Sequence, residues 1–361
     1  VGEGATVSVD IRTGHVLEVL ASFGDGTAQT CVTSPPYWGL RDYGTEPVLW
    51  PRIDFAPAPG LPELTIPAET ASLGLERDPW AFVGHMVLVF REVRRVLADD
   101  GTLWLNMGDS YANRPHGAPD ATSVCPKGGP GRTRRSRPNR RRDLGHLKHK
   151  DMVGMPWRLA LALQADGWTL RSEIIWHKPN GLPENVRDRP TKVHEQIFLL
   201  TNGPRYYFDQ DAVRERSSGT AHARGSGVHP KAASEGSGVR ANESFCSAVR
   251  GLVDTRNVRT VWKMQPGKVP EAHFATFPPE LPERCIRAGS AADDVVLDPF
   301  TGSGTTGIVA RRLGRRFLGV ELNEDYAQMA RERIARDTPP SAADLEAAGI
   351  AGQVGLFGSA P

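Results

Sequence analysis

Val295-Val296-Leu297-Asp298-Pro299-Phe300-Thr301-Gly302-Ser303-Gly304-Thr305-Thr306 reads as a short buried strand, a glycine-rich turn and the first residues of a helix. The helix continues to about Leu313, and Arg316 to Val320 forms a second strand that ends at Glu321. Gly302 and Gly304 carry no Cβ, so the backbone can turn tightly and approach a ligand closely. The helix that follows offers unpaired N–H groups at its start. Glu321 lies 17 residues after Gly304, which leaves room for one helix and one strand. An acid at the end of that second strand is placed to accept hydrogen bonds from ribose hydroxyls.

Working outward, the same grammar recurs. Val7 to Leu20 reads as a short strand, a turn at Thr13-Gly14 and then a helix start. Ala28 to Thr33 is an apolar run with β-branched residues, stopped by Pro35 and Pro36, which cannot continue regular pairing. Trp80 to Leu97 places Phe82, Val83, Met86, Val89, Phe90, Val93, Val96 and Leu97 at helical spacing, and Thr102 to Asn106 reads as a strand. Met155 to Gln164 is expected as a helix, with strands at Trp168 to Trp176 and Ile197 to Thr201. Short buried strands alternating with helices predict an α/β protein with a mostly parallel sheet covered on both faces.

At 361 residues, 39% hydrophobic and 24% charged, the chain has the composition of a globular protein with a sizeable core. No apolar run is long enough to cross a bilayer, and no leader pattern opens the sequence, so a cytoplasmic location is expected. The four cysteines are too few and too far apart for a disulfide scaffold or a CxxC zinc site. His194-Glu195 has metal-ligand residue types without a matching pair elsewhere, so no metal is expected.

The net charge of +2 hides a strong asymmetry. Residues 111–150 hold eleven Lys or Arg against Asp120 and Asp143, which leaves −7 for the rest of the chain. Such a concentration points to a polyanionic partner. Arg132, Arg134, Arg135, Arg137, Arg140, Arg141 and Arg142 suit phosphate contacts or insertion into a groove. The stretch from Asn113 to about Lys150 is expected to be irregular, and residues 215–250, rich in Gly and Ser, an exposed module or loop.

Two clusters carry chemistry. Asp298 beside the glycine-rich turn would repel a pyrophosphate but attract the ammonium of a methionine moiety, which favours S-adenosylmethionine over a nicotinamide or flavin. Thr33-Ser34-Pro35-Pro36-Tyr37-Trp38 follows a buried strand, the usual place for a site in an open α/β sheet. Two prolines hold the backbone extended and present carbonyl acceptors, Ser34 adds a hydroxyl, and Tyr37 can stack on a flat base. A proline turn with an aromatic packed on it is the competing structural explanation. Cys31, three residues upstream of Ser34, is read as strand core and not as a nucleophile.

Ser34-Pro35-Pro36-Tyr37 resembles the catalytic motif of amino-methyltransferases acting on DNA, and Asp298 to Gly304 resembles their cofactor motif. His273-Phe274-Ala275-Thr276-Phe277-Pro278-Pro279-Glu280-Leu281 is similar to the segment that closes over the methionine end of the cofactor. The catalytic motif precedes the cofactor motif, a permuted order that resembles the β class of these enzymes. The likeness spans residues 7–110, 151–210 and 260–335. It implies a Rossmann-like methyltransferase fold, S-adenosylmethionine as cofactor and base flipping in double-stranded DNA. The implied catalytic residues are Ser34, Pro35, Pro36 and Tyr37. The implied cofactor residues are Thr33, His273, Phe274, Phe277, Asp298, Phe300, Gly302, Ser303, Gly304, Thr305, Glu321 and Asn323. Lys178, in Trp176-His177-Lys178-Pro179-Asn180, joins the arginines as an expected DNA contact.

Where the family often carries Gly-Asp this chain has Gly14-His15. Its tetrapeptide begins with Ser, as in the family's cytosine-N4 enzymes, where Asp is typical of adenine-N6 enzymes. Cytosine N4 is therefore the expected target. Adenine N6, an RNA substrate and a non-catalytic DNA-binding protein are the competing readings. The expected organisation is a catalytic half (1–110), a basic DNA-contacting insertion (111–150), a continuation of the methyltransferase domain (151–210), a target-recognition region (211–260), a cofactor half (261–337) and a tail (338–361). A cognate restriction endonuclease and a homodimer are left open.

Overall fold

The computed structural model describes residues 8–40, 44–112, 146–181, 184–216, 255–266 and 277–337. The arginine run from Arg132 to Arg142, the segment holding His273 and Phe274, and most of the two polar stretches lie outside these residues.

In chain order the elements are β1 (Val9–Thr13), α1 (Val16–Ala21) and β2 (Ala28–Thr33). Four short strands follow: β3 (Val48–Trp50), β4 (Ile53–Phe55), β5 (Leu64–Ile66) and β6 (Glu69–Ala71). Then come α2 (Pro79–Val96), β7 (Leu97–Met107), α3 (Met155–Ala165), β8 (Thr169–His177) and β9 (His194–Thr201). A 3₁₀ turn (Asp211–Val213) precedes β10 (Glu215–Arg216) and β11 (Thr255–Arg256). The chain continues with β12 (Val261–Lys263), α4 (Glu280–Gly289), β13 (Val295–Asp298), α5 (Thr305–Arg312), β14 (Arg316–Glu321) and α6 (Glu324–Arg336).

Eight strands build the main sheet in the order β1-β14-β13-β2-β7-β9-β8-β12. Every neighbouring pair is parallel except the two made by β9, which runs against β7 and β8. Helices α1, α2 and α3 cover one face and α4, α5 and α6 the other. Alternation along the central strands supplies both cores. Cys31, Leu103, Leu105 and Leu297 join the core beneath α1 to α3. Thr30, Thr102 and Trp104 point the other way, towards α4, where a Cβ on Gly289 would collide with them. Burial on both faces is why these strands read as continuous apolar runs.

Helix α2 is the central support. Asp78 caps it by accepting from the Trp80 N–H, and Pro79 occupies the first turn, where a missing N–H costs nothing. It is apolar around most of its circumference because it packs between the sheet and the short strands. Ile53, Phe55 and Ile66 of those strands press on it at Gly84. β3 pairs with β6 and β4 with β5, both antiparallel, so residues 48–71 form a nested pair of ribbons. Strands of three residues carry too little alternation to be recognised in the sequence.

Residues 209–259 form a separate compact unit, of which the described part holds the β10–β11 pair, with Glu215 accepting from Arg259 at 2.9 Å. Among the described residues, no helix is long and apolar enough to cross a membrane.

Candidate active site

The site lies where the parallel strands end. Gly14 and His15 leave β1, Ser34 to Tyr37 leave β2, Asp298 to Thr301 leave β13, and Glu321 closes β14. β9 runs the opposite way, so its first residues, His194 and Glu195, reach the same edge. Ser34, Pro35, Pro36, Tyr37, Glu195, Phe277, Asp298, Phe300, Gly302, Ser303, Thr305 and Glu321 all line one cleft. Placing a site outside the carboxyl ends of such strands, where the order reverses about β13, is the general rule for open α/β sheets.

The cofactor half is built around two carboxylates. Asp298 is only 2% exposed. Its Oδ1 accepts from Thr33 Oγ1 at 2.7 Å and from the Phe300 N–H at 3.1 Å, and its Oδ2 accepts from Thr306 Oγ1 at 2.7 Å. Burial pushes its pKa up to about 6, against the lowering effect of these bonds. Thr33 thus acts behind Asp298, holding its orientation. Glu321 accepts from the Gly302 N–H at 2.8 Å and the Asn323 N–H at 3.0 Å. Burial raises its pKa as well. A buried acid and a part-buried one between Phe277, Phe300, Val320 and Met329 make a sleeve for a ligand with an apolar body, a positive charge and hydroxyl groups.

Gly304 serves the turn more than the cleft. Its φ of +79° is open to glycine, and a Cβ would stand 3.0 Å from that of Ala330 in α6. Asn323 is likewise engaged in the fold: its side chain caps α6, accepting from Asp325 N at 2.9 Å and Tyr326 N at 3.3 Å.

The catalytic half is a hydrogen-bonded cluster. Tyr37 packs its ring against Gly108, where a Cβ would lie 2.6 Å from Cε2. The Tyr37 hydroxyl donates to Glu195 Oε2 at 2.8 Å. It accepts from Ser34 Oγ at 3.1 Å and from Asn106 Nδ2 at 2.8 Å. Asn106 also donates to Glu195 Oε2 at 3.0 Å, and Lys178 Nζ is paired with Glu195 Oε1. Lys178 stands 4.2 Å from the centre of the Trp176 ring. Expected as a DNA contact, it is held at this cluster.

Sequence reading missed Glu195 and Asn106. Glu195 stood out only as half of a metal-like pair, and Asn106 only as the last residue of a strand. Their signal is topological: both sit at the ends of strands that flank β2 on one side, and only the strand order reveals this. Among the described residues, no three His, Cys, Asp or Glu gather as metal ligands.

His15, the departure at Gly14-His15, lines the cleft and stands edge-on to Trp50, with ring centres 4.9 Å apart. Trp50 stacks on the buried His85 at 4.5 Å, and His85 Nδ1 lies 3.1 Å from Glu76 Oε1. This stack anchors the short-stranded module to the cleft wall. Cys31 is fully buried, and burial with the nearby Asp298 pushes its thiol pKa well up, so it is an inert core residue.

Residues 28–332 match the DNA methylase family. The chain is 40% identical to the type II methyltransferase M.Cfr9I of Citrobacter freundii over 89% of its length and 86% of that protein. It is also 40% identical to M.SmaI of Serratia marcescens, over 91% of each chain. Among solved structures, TTHA0409 from Thermus thermophilus, in complex with S-adenosyl-L-methionine, superposes with a TM-score of 0.51 at 27% identity, covering 92% of this chain and 95% of that one. The cytosine-N4-specific PvuII DNA methyltransferase shares the fold, with a TM-score of 0.55 at 16% identity over 99% and 98% of the two chains. With a cleft at the carboxyl edge of a permuted α/β sheet and a family match over most of its length, this chain belongs to the DNA methylases of the amino-methyltransferase type.

Proposed function

We propose that this methylase transfers a methyl group from S-adenosylmethionine to the exocyclic N4 of cytosine in double-stranded DNA, as the modifying partner of a restriction endonuclease. Asp298 would meet the methionine ammonium, Glu321 the ribose hydroxyls, and Phe277 and Phe300 the apolar body of the cofactor. The relative that binds S-adenosyl-L-methionine, at 27% identity, supports this assignment. The cofactor supplies an activated methyl on a sulfonium; the protein supplies alignment and removes water.

A target nitrogen in a duplex is paired and must leave the stack to react. Tyr37 would lie against the flipped base, and Ser34 Oγ and the Pro35 carbonyl would accept its amino hydrogens. Accepting both hydrogens draws the nitrogen lone pair out of the ring, towards the incoming methyl. The observation that carries the choice of cytosine is Ser34 itself, a short neutral acceptor where adenine enzymes place an acid. The arginines at 132–142 would supply phosphate contacts, and residues 211–260 the reading of the target sequence.

The test is to incubate the protein with unmethylated duplex DNA and S-adenosylmethionine, digest the DNA to nucleosides and weigh them. N4-methylcytosine is expected. N6-methyladenine would keep the reaction and refute the role given to Ser34. No modified base would refute the proposal as a whole and turn the search to RNA.

A further inference from the structure

Direction in a hydrogen-bond chain follows from counting protons, and here the count is decided by Glu195. An ionised carboxylate can only accept. Tyr37 has one hydroxyl proton and lies 2.8 Å from Glu195 Oε2, so that proton points at Glu195. The 3.1 Å contact between Ser34 and Tyr37 must then use the proton of Ser34. Asn106 donates to the same Tyr37 oxygen and so fills its other lone pair. Ser34 is left with no proton to offer, and its oxygen presents lone pairs alone. The order is Ser34 to Tyr37 to Glu195, with Lys178 holding the far end of the carboxylate.

We infer that Ser34, Tyr37 and Glu195 form a polarised relay that keeps Ser34 an acceptor towards the target amino group and carries away the proton released by its methylation. The inference rests on the reading that Ser34 meets that amino group. The amino nitrogen forms its bond to the methyl carbon as the carbon–sulfur bond breaks, and that electron pair stays on sulfur. The nitrogen, now with four bonds and a positive charge, loses one hydrogen as a proton to Ser34 Oγ. Ser34 passes its own proton to Tyr37, and Tyr37 passes its own to Glu195. Neither hydroxyl changes net charge; the carboxylate becomes a carboxylic acid, and no oxidant or further reactant is required. A protonated exocyclic amine is far more acidic than a carboxylic acid, so the transfer runs downhill. Glu195 lines the open cleft and can return the proton to water after product leaves.

Several features of the cluster fit this role better than a packing role. A tyrosine that served only as a stacking platform could satisfy its hydroxyl with a neutral acceptor or with water; here the acceptor is a carboxylate. A carboxylate beside that hydroxyl costs desolvation, which Lys178 offsets. Asn106, between Tyr37 and Glu195, has an amide nitrogen within 3.4 Å of all three oxygens: Ser34 Oγ, Tyr37 Oη and Glu195 Oε2. It keeps the three groups in register without supplying a proton itself.

The experiment compares single-turnover methylation by the wild type, Tyr37→Phe, Glu195→Gln and the double variant, with S-adenosylmethionine affinity measured by calorimetry on each. Loss of general acid–base assistance of this kind slows a reaction by roughly 10²-fold or more. Each single variant is expected to fall by about that factor with cofactor affinity unchanged. The double variant is expected to be no slower than the slower single one, because one break already opens the chain. Wild-type rates in Tyr37→Phe, or losses that multiply in the double variant, would overturn the relay while leaving the methylation reading intact. A wild type that methylates no duplex DNA would overturn both. Tyr37→Phe removes one oxygen and keeps the ring on Gly108, so it decides the matter even if Glu195→Gln does not fold.

Discussion

Asp298 illustrates how a single side chain couples binding to stability. Its carboxyl is raised from 3.8 to about 6 by burial, so the folded protein holds a proton that the unfolded chain releases between those values. The unfolded chain then binds fewer protons, and stability falls as pH rises through this window. A rise of that size costs the fold roughly 3 kcal/mol once the group is ionised. Under the proposed role, that cost goes with binding, because an ionised acid is what a methionine ammonium would meet. Asp298→Asn keeps the size and most of the hydrogen bonds from Thr33 and Thr306. The variant is expected to be at least as stable as the wild type near neutral pH, and its urea-unfolding free energy to be flatter between about pH 4 and about pH 6. Its affinity for S-adenosylmethionine should drop by ~10-fold or more, the worth of a charge-assisted hydrogen bond. Unfolding titrations and calorimetry across that range check both halves. A variant that bound the cofactor as tightly as the wild type would remove Asp298 from the ligand.

Helix α6 shows how an element can claim a residue that a motif assigns elsewhere. Asn323 follows Glu321 closely enough to be taken for a cofactor ligand, yet its side chain bonds the free N–H groups at the start of α6. Asn323→Ala should therefore cost about 1 kcal/mol of stability, as lost caps do. Asn323→Asp should restore it, with cofactor affinity unaltered in both; a Kd that rose in step with the lost amide would reverse this assignment. The elements read well wherever they are long and buried on both faces. β2 occupies Ala28 to Thr33 as expected, α2 and α3 fall within a residue of their expected starts, and the glycine-rich turn links β13 to α5 as its sequence implies. Strands β3 to β6 were illegible, because three-residue ribbons owe their existence to packing on α2 and not to local pattern. Glu195 was illegible as a site residue for a different reason. Its neighbourhood depends on β9 being inserted, reversed, between β7 and β8, and nothing local to His194-Glu195 encodes that.

At the scale of the whole molecule, the separation of charge would draw a polyanion chiefly to one stretch of the chain. Residues 111–150 carry a net +9 in a chain whose remainder is net negative, so most of the attraction is concentrated in one insertion between β7 and α3. That insertion leaves the sheet a few residues past Asn106 and Gly108, on which the Tyr37 cluster rests. Each phosphate neutralised by an arginine releases about one counterion from duplex DNA, and the salt dependence of binding counts those contacts with a slope of ~0.9 each. Replacing Arg134, Arg135, Arg141 and Arg142 with Ala should lower the slope of log K against log salt by between 3 and 4, roughly, if all four meet phosphates. Phosphate contacts position the duplex without reading it. Loss of affinity should therefore be similar on target and non-target duplexes, and the single-turnover methylation rate at saturating DNA and low salt should stay close to that of the wild type. Fluorescence titrations over a series of salt concentrations measure the slope, and quenched-flow measures the rate. An unchanged slope would take the arginines off the DNA backbone. A slope unchanged together with lost discrimination between sequences would instead place them in a groove, reading bases.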